Sequence, residues 1–111
     1  MQSKHRKEKV SGLLRERLAL IVSSQAKNPL FRSITITHVN ITADLRCAKV
    51  YYTLNEPSNI FQINSALEKA KGYLRMQIAK DLNLRFTPDL EFYNDNSLEM
   101  GAYIENLLAE L

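Results

Sequence analysis

At 111 residues the chain has room for one domain with a modest core. Its hydrophobic fraction of 45% and charged fraction of 24% are those of a globular protein, and no apolar run reaches the length of a membrane span. One cysteine, Cys47, excludes an internal disulfide framework and fits a reducing compartment.

The net charge of +3 conceals an asymmetry. Every Lys and Arg lies at or before Arg85, whereas the segment from Phe86 to Leu111 carries Asp89, Glu91, Asp95, Glu99, Glu105 and Glu110 and no base. A basic body with an acidic end points to a polyanionic partner for one face. The basic start, Met1 to Lys7, has no continuous apolar stretch after it, so the sequence predicts a cytoplasmic protein without a secretory leader.

Val10, Leu13, Leu14, Leu18, Ile21 and Val22 fall at helical spacing and predict an amphipathic helix over about residues 6–25. Residues 1–5 are expected to be a mobile basic end. Asn28-Pro29 follows as a stop. Two β-branched and aromatic runs, Ser33–Ile41 and Cys47–Leu54, read as strands, and the short link between them suits an antiparallel hairpin. In the first run Ile34 and Ile36 share one phase and Val39 and Ile41 the other, which calls for a bulge near Thr37-His38.

Pro57-Ser58-Asn59 offers a helix start with Ser58 or Asn59 as N-cap. Ile60, Ile63, Leu67, Ala70, Leu74 and Ile78 then define one buried stripe. Gly72 costs a helix interior about 1 kcal/mol relative to Ala, so the sequence predicts a break at Ala70-Lys71-Gly72, where exposed N–H groups beside positive charge would suit a phosphate. Asp89–Tyr93 reads as a third strand with Pro88 just before it. Ser97 is placed to cap a last helix, with Leu98, Ala102, Leu108 and Leu111 on its apolar face. The order α-β-β-α-(break)-α-β-α describes a two-layer α+β domain over residues 1–111, with a three-stranded mixed sheet and helices on one face.

Catalytic signatures are absent from the sequence. No Gly-x-x-x-x-Gly-Lys-[Ser/Thr] loop occurs, and His5, His38 and Cys47 lack the paired spacings of common metal sites. Asp89 and Glu91 share a predicted strand face with no nucleophile or base beside them. The expectation is a protein that is not an enzyme and needs no cofactor or metal.

Several stretches carry a family likeness. They are Lys9-Val10, Lys27-Asn28-Pro29-Leu30, Asp44-Leu45-x-x-Ala48-Lys49-Val50-Tyr51, Leu67-x-x-Ala70-x-Gly72-x-x-Arg75, and Leu84-Arg85-x-x-Pro88-x-Leu90-x-Phe92-x-x-Asp95-Asn96-Ser97, with Ile104 near the end. In this order and spacing the chain resembles the ribosome-binding factor A family, bacterial small-subunit assembly factors with a KH-like (type II) fold. Many KH domains use a Gly-x-x-Gly loop against single-stranded nucleic acid. Gly12, Gly72 and Gly101 are too far apart to form one, and Ala70-Lys71-Gly72 matches the family's kinked Ala-x-Gly joint instead. The resemblance implies binding to the free small (30S) ribosomal subunit and its 16S rRNA, with assistance to late maturation and rRNA processing. Ribosomal proteins and a ribosome-assembly GTPase are candidate further partners, no membrane is expected, and the chain is expected to be a monomer.

The candidate RNA contacts are the joint and the positive charges around it: Lys69, Ala70, Lys71, Gly72 and Arg75, with Lys80 and Arg85 further along, Arg6 and Lys7 at the basic end, and Arg32, Arg46 and Lys49 around the hairpin. A second reading stays open, in which the chain is a protein-interaction adaptor that uses the acidic C-terminal helix without direct RNA recognition.

Overall fold

The computed structural model describes residues 2–25, 28–55 and 59–95. Helix α1 spans Gln2–Leu20 and passes into a π turn over Ile21–Gln25. It starts four residues before the sequence-based estimate. Asn28 caps a short 3₁₀ turn, Pro29–Ser33, by accepting from the Leu30 N–H at 3.0 Å, and Phe31 is buried from that turn. Proline suits the first position because its missing N–H would have no helical partner there.

Strands β1 (Ile34–Ile41) and β2 (Cys47–Leu54) form the expected antiparallel hairpin. Their register shifts between Ile36 and His38, which puts Ile34, Ile36, Val39 and Ile41 all on the buried face. The bulge resolves the phase conflict in the sequence. Thr42 closes the connecting loop: its hydroxyl bonds the Asp44 carboxylate at 2.6 Å and accepts from the Cys47 N–H at 3.1 Å. Leu45 adopts a left-handed φ of 62°, a conformation strained for a side chain with Cβ, and packs its side chain against the core.

Helix α2 runs from Ile60 to Leu82 without interruption. Asn59 is its N-cap, accepting from the N–H groups of Phe61 (3.0 Å) and Gln62 (3.3 Å), and Asn83 ends it in the left-handed conformation. The break predicted at Ala70–Gly72 does not form. Ile63 and Leu67 before the joint and Leu74 and Ile78 after it are all fully buried. Burying each such side chain is worth roughly 1.5–3 kcal/mol, which outweighs the roughly 1 kcal/mol cost of one glycine. Gly72 has no positive φ, and the joint's N–H groups lie inside a continuous helix instead of at a new N-terminus.

Strand β3 (Asp89–Asn94) pairs parallel to β2, so the sheet order is β1-β2-β3 with α2 as the crossover. Both helices pack on one face, where Leu14 and Leu18 of α1 and the α2 stripe meet Ala48, Val50, Tyr52 and Leu90 in a single core. Buried Tyr52 keeps its hydroxyl satisfied against Asn64 at 3.3 Å. The expected last helix, Ser97 onward, lies outside the described residues.

Candidate nucleic-acid interface

The fold divides the candidate cations into groups. The β1–β2 loop, the residues joining α2 to β3, and the early turns of α1 meet at one end of the molecule. Arg6 and Arg85 line one cleft of about 200 Å³ there, together with Asp44, Leu45 and Phe86. Neither arginine forms an ion pair among the described residues. The Arg85 guanidinium lies over the Phe86 ring, 5.4 Å from its centroid, which directs the side chain without neutralising it. Arg46 is exposed at the base of the loop. Asp44 is the counter-charge in the cleft. Its carboxyl is held below the usual range by the Thr42 hydroxyl and then by the Arg46 N–H, so it stays ionised at neutral pH.

Arg75 explains why the linker is well placed. Its Nε donates to the Pro88 carbonyl at 3.2 Å and its Nη2 to the Thr87 carbonyl at 3.1 Å. These are charge-assisted bonds from α2 to the chain that carries Arg85, so Arg75 acts inside the molecule as a staple. Lys71 is also engaged, with Glu68 one turn back at 2.8 Å. Ala70 packs against the core. Gly72 is exposed, and a Cβ built there meets nothing within 4 Å, so no contact within the described chain requires glycine.

Lys69 and Lys80 are exposed on α2, Lys80 in its last turn. At 3.6 residues per turn they share a ridge with Tyr73 and Met76, both partly exposed. Lys7 faces away from Arg6. It lines a separate cleft of about 370 Å³ between α1 and β1 with Arg15, His38 and Asn40. Arg32 lies on the 3₁₀ turn at the other end of β1, and Lys49 points out from the sheet face opposite the helices. These two are not brought together with the rest.

Sequence reasoning misses Arg15. Lys7, Ser11 and Arg15 recur every four residues, a spacing that places all three on one flank of α1. Ser11 fixes that flank against β1 by accepting from the Ile41 N–H at 3.2 Å. The signal is present in the sequence but is overshadowed by the apolar stripe on the helix's other side.

Among the described residues no group of His, Cys, Asp and Glu could hold a metal ion, and no helix is long and apolar enough to cross a membrane.

Comparison with known proteins adds an independent line. A protein from Desulfatibacillum aliphaticivorans called ribosome-binding factor A is 34% identical over 112 residues, covering 100% of this chain and 91% of its own. The crystal structure of ribosome-binding factor A from Thermus thermophilus shares the KH-like α+β fold with a TM-score of 0.72 at 23% identity, covering 79% of this chain and 94% of that one. Coordinates of the Thermus thermophilus protein fitted to a cryo-EM map of its complex with 30S give a TM-score of 0.65 at 23% identity, covering 75% and 88%. Residues 6–108 match the family model described as Ribosome-binding factor A, and the chain belongs to that family.

Proposed function

We propose that this protein is a non-enzymatic assembly factor that binds the free small ribosomal subunit and its 16S rRNA in the cytoplasm and assists late maturation and rRNA processing. The observation that carries the reading is the convergence of Arg6 and Arg85, distant in sequence and free of ion pairs among the described residues, on one cleft beside Arg46. Family membership supports the partner, as does the likeness to a protein placed in a 30S complex.

In this reading phosphate contacts from Arg6, Arg46 and Arg85 supply affinity, with Lys7 and Arg15 on the α1 flank and Lys69 and Lys80 on the α2 ridge extending the basic surface. The closed β1–β2 loop and the Arg75 staple hold the cations in register, which lets the protein discriminate the shape of folded RNA. Gly72 leaves room for a backbone or ribose to approach α2. The protein favours a maturation state of the rRNA only to the extent that it binds that state more tightly than others. Co-sedimentation with free small subunits, large subunits and assembled ribosomes over a salt series tests the reading. Selective, salt-sensitive association with free small subunits is expected; equal association with all three particles would contradict it.

A further inference from the structure

The sheet face opposite the helices carries no covering element among the described residues, and its chemistry differs from that of the basic end. Strand alternation sends His38, Tyr51 and Tyr93 outward at one level, because Tyr51 pairs with His38 on β1 and with Tyr93 on β3. The Tyr51 and Tyr93 rings stack with centroids 5.5 Å apart, and His38 and Tyr51 lie 5.9 Å apart. Tyr93 is 43% exposed on an edge strand. The neighbouring levels add Lys49 and Glu91, then Asp89. The Glu91 carboxylate accepts from the Tyr93 hydroxyl at 3.0 Å and from the Cys47 thiol at 3.3 Å, which fixes it beside the ring.

A π surface next to an anchored carboxylate, with Asp89 close by and Lys49 the single outward cation on the strands, repels phosphate and attracts a cation. Guanidinium matches both parts, since it stacks on an aromatic face and pairs with a carboxylate. We propose that this sheet face binds an arginine-rich polypeptide segment laid along β3, with a guanidinium stacked on Tyr93 and paired with Glu91. The charge complementarity lies at Tyr93 and Glu91 on the β3 side, whereas His38 on the β1 side also lines the cleft of Lys7 and Arg15; the inference stands independently of the proposed function.

The test is an NMR titration of the full chain with an eight-residue peptide alternating Arg and Ser, with its Lys counterpart, and with octauridylate. The Arg peptide should shift the His38, Tyr51 and Tyr93 ring signals saturably. The Lys peptide should bind about two- to fivefold more weakly, because an ammonium lacks the planar fork that stacks on the ring and pairs with the carboxylate together. Tyr93→Ala and Glu91→Gln should each weaken the Arg peptide by about two- to fivefold. The isosteric Glu91→Gln carries the test if Tyr93→Ala fails to fold. Several results would overturn the proposal: no saturable shift at the three rings, unchanged affinity in Glu91→Gln, or octauridylate moving the rings in place of the peptide. So would ring signals that depend on protein concentration, which would assign the face to a second copy, or cross-peaks in the free chain between Tyr93 and residues 98–111.

Discussion

Arg75 is the residue whose role changes most between sequence and structure. Read along the helix it is one more cation near the glycine. In three dimensions it spans the gap to two backbone carbonyls, those of Thr87 and of buried Pro88. Hydrogen bonds to charged groups contribute about 1.5–3 kcal/mol when partly shielded, so Arg75→Ala should lower unfolding free energy by about 2 kcal/mol in urea titrations. Arg75→Lys keeps the charge but replaces the planar fork, whose Nε and Nη2 each meet one carbonyl, with a single shorter-reaching ammonium, so it should also destabilise. Full stability in Arg75→Lys would show that charge alone matters there. Cys47 makes a second residue-scale prediction. Burial raises its thiol above the ordinary value of 9.0, and the Glu91 hydrogen bond and charge push the same way. The thiolate is the reactive form, so iodoacetamide should modify Cys47 slowly at pH 8 compared with a free cysteine. Glu91→Gln removes the negative charge and should accelerate the reaction; an unchanged rate would leave burial, with the Asp89 charge beside it, as the cause.

At the scale of elements, α2 shows how tertiary packing overrides local propensity. The glycine penalty is real, but the same sequence also carries a stripe that continues in phase across the joint, from Ile63 and Leu67 to Leu74 and Ile78. Continuity of that stripe is the stronger signal because these four members on both sides of the joint are fully buried. Gly72→Ala should therefore raise stability by about 1 kcal/mol, because the added Cβ meets nothing within 4 Å and the helix gains propensity. A loss of stability would mean that the helix needs glycine for its own geometry. The strands are legible in the sequence for a comparable reason. Their alternation, and its phase change at Thr37, record which residues face the core. The candidate site is less legible. Charge spacing along a helix reveals neighbours such as Lys7 and Arg15, but nothing local brings Arg6 to Arg85. That meeting depends on how the β1–β2 loop and the α2–β3 linker come to the same end of the sheet.

At the scale of the whole fold, the described residues sort part of their charge in space. Arg6, Arg46 and Arg85 gather around Asp44 at one end, whereas Glu91 faces out from the sheet beside Tyr93, with Asp89 between the two next to Arg46. Separation of this kind allows one surface to meet RNA phosphates while another takes a cationic partner, and it orients the protein as it approaches a polyanion. The described fold makes that arrangement rigid: one core joins both helices to the sheet, the Thr42 network closes the loop, and Arg75 pins the linker. The measurement that bears most directly on the central claim is the salt dependence of binding to free small subunits by the natural chain and by an Arg6→Glu, Arg85→Glu double variant of verified fold. If both arginines contact phosphates, affinity should fall at least about tenfold at moderate salt, and the slope of log affinity against log salt should shrink by about two. A folded double variant that binds with unchanged affinity and slope would contradict the assignment of this end as the RNA-binding surface.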